Sequence, residues 1–127
     1  MSVNHVLSYW HCQKLMATAR NKHKGKPLMN NTRLYDCDGY YAIRLHNNVI
    51  MQIYPEGWQL FDGGWQSRTT KDRLTAYSPA TIYQTNWAWR MHTGGDTFLF
   101  WNGAFLDNEL EWHLDYRDYI NKKRSGI

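Results

Sequence analysis

The pattern of apolar and polar positions predicts a helix at the start of the chain. Between residues 4 and 20, apolar side chains recur at intervals of three and four and form one broad helical face. Asn4 is suited to cap this helix, and Gly25 and Pro27 end it. The basic run over residues 20–26 has no apolar periodicity, so it predicts a solvated loop.

Alternating apolar positions then predict an antiparallel sheet. Residues 40–54 alternate as two strands around a turn at Asn47 and Asn48, because asparagine tolerates the positive φ of a tight hairpin. A turn at residues 55–57 leads to a third strand over residues 58–61. The first half of the chain therefore predicts a helix followed by a three-stranded meander.

The stretch "GGWQSRTTKDRL" (63–74) predicts a junction between a strand and a helix. The two glycines accept backbone dihedral angles that other residues avoid, so they suit the end of the third strand. Thr69 or Thr70 is the expected N-cap of the following helix, and Leu74 and Tyr77 are expected to face the core. This interpretation of the stretch requires no ligand.

The remaining chain predicts further strands. Residues 81–91 alternate without a break and predict one long strand. Residues 97–101 and 104–106 flank an Asn-Gly pair and predict a hairpin. Residues 109–120 carry both a strict alternation and a helix-like distribution of charge; the alternation favours a strand over a helix.

Together these elements predict an α+β fold, with the N-terminal helix packed on an antiparallel, twisted sheet or partial barrel and one short helix between strands. We expect a single domain over residues 1–127, with a basic helix and loop in residues 1–35 and mostly β structure in residues 36–127. Cys12 and Cys37 lack metal or redox spacing, so we expect reduced thiols in a cytoplasmic protein. No apolar run approaches the roughly 18 residues that span a membrane.

Positive charge is concentrated near the N-terminus. Residues 1–35 carry six Lys or Arg and no Asp or Glu, in a chain whose formal net charge is +4. This asymmetry indicates a polyanionic partner, and phosphate contacts alone predict non-specific binding of DNA or RNA. The alternative is a solvated charged loop. The candidate nucleic-acid-binding residues are four in the basic loop and three in the later junction: Arg20, Lys22, Lys24, Lys26, Arg68, Lys71 and Arg73.

Aromatic residues make up 16% of the chain. Tyr83, Trp87 and Trp89 would form one stripe on the long strand, which we expect to be buried because large rings dominate core packing. If exposed, such rings stack on bases or anchor a protein interface, and the candidates are Trp58, Trp65, Trp87 and Trp89. The alternative function is therefore a non-enzymatic inhibitor or modulator of a host enzyme or defence complex. The sequence assigns no oligomeric state.

Enzyme signatures are scarce. The six histidines form no HExxH motif, the cysteines and histidines lack the spacing of a structural zinc site, and no nucleophile elbow is present. We therefore expect no catalytic residue, no metal and no cofactor.

Three blocks of the sequence resemble a family of small phage and prophage proteins. They are "NNT" (30–32), "AIRLHNNVI" (42–50) and "GGWQSRTTKDRL" (63–74). The family combines an N-x-T element, an (I/V)RLH strand and a GGW-x-(S/T)-x-TTK-x-R block followed by a proline, and the resemblance covers residues 30–79. It implies a viral origin and action in the host cytoplasm. The family has no assigned activity, so it supplies no catalytic residues.

Overall fold

The structure is a computed structural model that describes residues 3–19 and 24–124. Its helices are α1 (Tyr9–Ala17), α2 (Arg68–Tyr77) and α3 (Tyr116–Arg124). The strands of the larger sheet are β1 (Lys26–Met29), β2 (Thr32–Asp36), β3 (Tyr41–Leu45), β4 (Asn48–Tyr54), β5 (Gly57–Leu60), β9 (Ala104–Asp107) and β10 (Trp112–His113). The smaller sheet contains β6 (Thr81–Thr85), β7 (Ala88–Thr93) and β8 (Asp96–Leu99).

Both sheets are antiparallel. The larger sheet has the strand order β1-β2-β3-β4-β5-β9-β10, and the smaller sheet is the meander β6-β7-β8. The two edge strands of the larger sheet, β1 and β10, do not pair with each other, so this sheet is open and does not close into a barrel. The predicted α+β class is confirmed in outline: an N-terminal helix is present, and α2 lies between the fifth and sixth strands.

The core lies on one face of the larger sheet. Leu34, Ile43, Met51 and Leu60 occupy matching positions on four neighbouring strands, and all four side chains are buried. The alternation of each strand produces this row, because successive side chains point to opposite faces. Burying one such side chain stabilises a fold by about 1.5–3 kcal/mol. Helices α1 and α2 contribute to the same core, and α2 does so through Leu74 and Tyr77, as predicted.

Helix α1 begins later than predicted. Its N-cap is Ser8 and not Asn4: the Ser8 hydroxyl accepts a hydrogen bond from the His11 backbone N–H at 3.2 Å, and the Ser8 N–H donates to His11 Nδ1 at 3.3 Å. The described residues before Ser8 form neither a helix nor a strand. The N–H of Leu7 donates to the Tyr77 carbonyl at 3.1 Å, which ties this segment to the end of α2.

The segment after α1 contains more β structure than predicted. Lys26 was expected at the end of the basic loop, but it is the first residue of β1, which pairs with β2. The turn between β3 and β4 contains His46 and Asn47, one position earlier than expected. His46 takes a φ of 58°, a left-handed conformation that non-glycine residues rarely adopt.

Residues 81–91 form a hairpin and not one long strand. Asn86 and Trp87 make the turn between β6 and β7 with φ values of 51° and 65°. Positive φ at both turn residues is typical of a type I′ hairpin. Across this two-residue turn, residues of opposite parity share a face: Ile82 pairs with Met91, and both are buried. The inward-facing positions therefore change from even to odd at the turn, and the prediction was wrong because it placed the exposed Tyr83 on the same face as Trp89.

Two predictions for the C-terminal part are also wrong. Strands β8 and β9 lie in different sheets, so Asn102 and Gly103 do not connect a hairpin; the Gly103 N–H donates to the Leu60 carbonyl at 2.8 Å. Residues 109–120 were expected to form a strand, but they contain the two-residue strand β10 and then the start of α3 at Tyr116. The Asp115 carboxylate accepts the backbone N–H of Asp118 at 2.7 Å, so a local cap outweighs the alternation.

Candidate functional site

The three blocks that carry the family resemblance meet at one end of the larger sheet. The first forms the β1–β2 turn, the second the β3–β4 turn, and the third the loop that leads into α2. The His46 N–H donates to the Asn31 carbonyl at 2.6 Å, and Arg73 Nε donates to Thr32 Oγ1 at 2.9 Å. Segments far apart in the sequence thus form one connected part of the structure.

A groove of about 420 Å³ lies between the β3–β4 turn and the loop before α2. Its apolar side consists of Leu45, Ile50 and Trp65, and the Trp65 side chain is 74% exposed. We call it the tryptophan groove. Its other lining residues are polar or small: His46, Asn48, Asp62, Gly63, Ser67, Thr69 and Thr70.

Local hydrogen bonds hold the loop that presents Trp65. Asp62 Oδ1 accepts the Gly64 N–H at 2.8 Å, and Asp62 Oδ2 accepts from Gln66 Nε2 at 3.4 Å. Gly63 and Gly64 have φ values of 71° and 83°, so both positions favour glycine. The carboxylate of Asp62 is therefore directed into its own loop.

Helix α2 begins at the far side of this loop. Its N-cap is Ser67, not Thr69 or Thr70, because Ser67 Oγ accepts the Thr70 N–H at 3.1 Å. Arg73 was predicted to contact phosphate, but its guanidinium donates to Thr32 Oγ1 and, at 3.4 Å, to the Asn30 carbonyl. Arg73 therefore joins α2 to the β1–β2 turn.

Two further grooves continue from the tryptophan groove: the first shares His46 with it, and the second shares Lys24 and Arg33 with the first. One of about 490 Å³ is lined by Lys24, Asn31, Arg33, Tyr35, His46 and Asn47. The other, of about 350 Å³, is lined by Thr18, Ala19, Lys24, Gly25, Lys26, Pro27 and Arg33. We call the pair the basic grooves. Among the residues that the structure describes, no Asp or Glu lines either of them.

The alternation of β2 and β3 brings two arginines together beside the basic grooves, of which Arg33 is a lining residue. Arg33 and Arg44 lie directly opposite each other on neighbouring strands, on the face away from the core. The Arg44 guanidinium carbon lies 4.6 Å from the centre of the Tyr35 ring, a cation–π distance. Like charges directly opposite each other destabilise a sheet, so the pairing concentrates charge at a structural cost.

Glycine at position 25 keeps the chain close to these side chains. Gly25 has a φ of 74°, and a Cβ there would lie 2.9 Å from the Tyr35 ring. Arg33 Nη1 donates to the carbonyls of Lys24 and Gly25, both at 3.2 Å. These contacts fix Lys24 next to Arg33.

The family model of the Kyanoviridae Gp96 protein matches residues 11–119. The chain belongs to this family of phage proteins. The predicted phage origin is therefore confirmed at the level of the family, whereas the three-block pattern stays a prediction. Searches of curated proteins and of solved structures gave no match to this Gp96 family chain. In the described parts of the chain, no helix combines the length and apolar character needed to cross a membrane.

Only part of the predicted basic set lies at the basic grooves of this Gp96 family member. Lys24 is exposed there, and Lys26 is half-buried with its Nζ donating to Thr18 Oγ1 at 3.0 Å. Two predicted residues, Arg20 and Lys22, lie outside the described residues. Two more, Arg68 and Lys71, are on α2 and line none of the three grooves.

Two of the four tryptophan candidates belong to the core. Trp58 is 7% exposed and its Nε1 donates to the Leu7 carbonyl at 2.8 Å, while Trp89 is 4% exposed and packs edge-on against Phe100. Neither ring presents an exposed face for stacking in this structure. Trp87 was expected in a buried stripe but is 92% exposed at the β6–β7 turn. Trp65 is exposed and lines the tryptophan groove.

Sequence reasoning missed Arg33, Tyr35, Arg44 and His46. A signal was present: Arg33 and Tyr35 flank the buried Leu34, which indicates a strand with an apolar and a basic aromatic face. Strand β2 was not predicted, so this face was not recognised.

A second polar cluster lies at the opposite end of the larger sheet, on the face away from the core. Asp107 Oδ2 and His113 Nε2 are 2.8 Å apart, and Asp107 Oδ1 accepts the backbone N–H groups of Glu109 and Glu111. Burial alone would raise the pKa of Asp107, but the hydrogen bonds from His113 and the two backbone groups outweigh it and lower the pKa below the usual 3.8. The Tyr119 ring packs on His113 at 4.9 Å, so this cluster anchors α3.

The two cysteines are free thiols, as predicted. Burial raises the pKa of Cys12 to about 12, so its thiol is unreactive in the folded protein. Among the described residues, no group of three or more His, Cys, Asp and Glu is arranged to hold a metal ion.

Proposed function

We propose that this Gp96 family protein binds nucleic acid, with phosphates contacting Lys24, Arg33 and Arg44. One observation carries the proposal: the two basic grooves adjoin at Lys24 and Arg33, and no carboxylate among the described residues lines them. A groove lined by cations and neutral side chains favours a polyanion, because each neutralised phosphate also releases counterions.

The donors in the basic grooves are suited to phosphate. An arginine has five N–H donors in a planar fork, and Arg33 uses only Nη1 in its hydrogen bonds to described residues. A phosphate between Arg33 and Arg44 would accept from both side chains and would relieve their mutual repulsion. Such contacts position a strand without reading its bases, so we expect non-specific binding of DNA or RNA.

The proposal keeps part of the basic set derived from sequence. Arg20 and Lys22 stay phosphate-contact candidates from the sequence alone, while Arg68 and Lys71 would form a separate, weaker site on α2. Arg73 is omitted because its guanidinium is engaged by Thr32. Action in the host cytoplasm, where phage nucleic acid is handled, belongs to the same proposal, which assigns no catalytic residue and no cofactor.

A modulator of a host enzyme or defence complex is the second candidate function. It is favoured by the exposed strand β8, which lies at an edge of the smaller sheet and presents Phe98 and Leu99 to solvent beside the exposed Trp87 turn. Aromatic and aliphatic side chains on a free strand edge are typical of protein interfaces. Capture of a host protein that survives nuclease treatment and is lost in Phe98→Ser would favour this candidate over nucleic-acid binding.

Fluorescence anisotropy tests the proposed function. Labelled single- and double-stranded DNA and RNA are titrated with the full-length protein over a series of salt concentrations. We expect Lys24→Gln, Arg33→Gln and Arg44→Gln each to reduce the slope of log K against log salt by about 0.7–0.9, the value for one lost phosphate contact.

The matched control is Arg117→Gln. Arg117 is exposed on α3, so this variant removes the same charge at the other end of the sheet. Its slope should equal that of the wild type. The proposal fails if the wild type binds none of the four ligands at low salt, or if all four variants change the slope equally.

A further inference from the structure

We infer that the tryptophan groove receives one unpaired base, so that the ligand is single-stranded nucleic acid and not duplex. This inference rests on the proposed function and names the class of substrate. It comes from the contrast between the basic grooves, which suit phosphate, and the tryptophan groove, which suits an uncharged ring.

The tryptophan groove has the size and lining of a small recess for a planar group. At about 420 Å³ it lies toward the small end of ligand pockets, which span roughly 300–1,000 Å³. Leu45 and Ile50 supply an apolar surface, and the mostly exposed ring of Trp65 offers a stacking face. A base that stacks on Trp65 would remove this ring from water, and stacking is tolerant of sequence because every base has such a face.

The electrostatics of the grooves assign base and phosphate to different places. Asp62 lines the tryptophan groove, where its carboxylate would repel a phosphate but not an uncharged base. The basic grooves contain no carboxylate among their described lining residues. A strand would therefore run its phosphates past Arg33 and turn one base toward Trp65.

His46 connects the two parts of this path. It lines both the tryptophan groove and the larger basic groove, and its backbone is held by the Asn31 carbonyl. The side chains of His46 and Asn48 make no hydrogen bond to a described residue, so their polar groups are available at the rim to the edge of a base.

Duplex nucleic acid does not fit this arrangement. Its bases are paired and stacked inside the helix, and it presents mainly phosphates and groove edges to a protein. It could contact the basic grooves but would leave the apolar recess empty. Single-stranded ligands should therefore depend on Trp65, and duplex ligands should not.

The experiment compares Trp65→Ala with Trp87→Ala by anisotropy, using a deoxythymidine 20-mer and a duplex of equal length. Trp87 is a matched control because it is also exposed and lines none of the three grooves. We expect Trp65→Ala to weaken the single-stranded complex about 5- to 150-fold, the range for loss of one base–aromatic stack. We expect Trp87→Ala and the conservative variant Trp65→Phe to bind the single strand with a Kd within about threefold of the wild type. Trp65→Ala should bind the duplex within the same margin, about threefold.

A second arm needs no variant. The wild type is titrated with a 20-mer in which every base is replaced by an abasic sugar. This strand keeps the phosphates, and we expect it to bind as weakly as the deoxythymidine strand binds Trp65→Ala.

The outcomes separate this inference from the proposed function. If Arg33→Gln weakens binding but Trp65→Ala does not, or if the abasic strand binds as well as the deoxythymidine strand, the protein binds phosphates alone and the inference is wrong. If Trp65→Ala weakens single strands and duplex equally, the inference is also wrong. If the wild type binds neither ligand, both the inference and the proposed function fail.

Discussion

Replacing Arg73 with alanine distinguishes a structural arginine from a ligand-binding one. In the structure, Arg73 Nε donates to Thr32 Oγ1 at 2.9 Å, and Nη2 reaches the Asn30 carbonyl at 3.4 Å. A hydrogen bond from a charged donor contributes about 1.5–3 kcal/mol, and the longer contact adds little. Arg73 is half-buried, so water screens it and the lower end of the range applies.

This value converts into a shift of the melting temperature. Unfolding entropy is about 2.1 cal/mol/K per residue, or about 0.27 kcal/mol/K for the 127 residues of this chain. A loss of about 1.5 kcal/mol therefore lowers Tm by about 6 °C. The Thr32 hydroxyl still donates to the Asn30 carbonyl in the variant, so no further penalty for an unpaired buried group is expected.

The assay is thermal unfolding followed by circular dichroism, with Arg68→Ala as the control on the same helix. Arg68 is exposed, so its variant should melt within about 2 °C of the wild type, as is usual for surface substitutions. In a Thr32→Val background, Arg73→Ala should lower the free energy of unfolding by about 1 kcal/mol less than it does in the wild type. The reason is that the Thr32 hydroxyl, the main partner of Arg73, is already absent. The reasoning is refuted if Arg73→Ala leaves Tm unchanged but flattens the salt dependence of nucleic-acid binding.

Three further predictions concern the fold around the site. Ser67→Ala removes the N-cap of α2 and should lower stability by about 1 kcal/mol in urea unfolding, whereas Ser67→Asp should retain it; equal loss in both would contradict the cap. Gly57→Ala should prevent soluble expression, because its Cβ would overlap the backbone of β9, whereas Gly64→Ala meets open space and should cost only about 1–2 kcal/mol for its left-handed φ. Asp107→Asn should lower Tm at pH 7, and the difference in Tm from the wild type should shrink as the pH falls below 3.8. The reason is that a carboxylate with a lowered pKa stabilises the fold until it is protonated in the native state. A constant difference in Tm down to pH 2 would contradict this.

Local patterns were sufficient where a residue and its consequence lie close together in the chain. The alternation of residues 40–54 predicted the β3–β4 hairpin, and the glycines at 63 and 64 predicted the junction before α2. Leu74 and Tyr77 were correctly placed in the core because helical spacing alone determines which face is apolar. The order of the predicted helices and strands also indicated an α+β fold, and the charge distribution indicated a basic N-terminal part.

Long-range pairing decided what the local pattern left open. Trp58 and Trp87 are equally plausible stacking residues in the sequence, yet one is buried under the N-terminal segment and the other lies at a turn. The burial of a ring depends on which distant segment covers it, and no period along the chain contains that information.

The candidate site is a product of the tertiary structure in the same way. Arg33 and Arg44 are 11 positions apart in the sequence and become neighbours only through the register of β2 and β3. The sequence by itself determined that the chain is basic near its N-terminus and rich in aromatic rings. Only strand pairing, which sets distances between remote residues, decided that Lys24, Arg33, His46 and Trp65 line adjoining grooves and that Arg44 lies opposite Arg33.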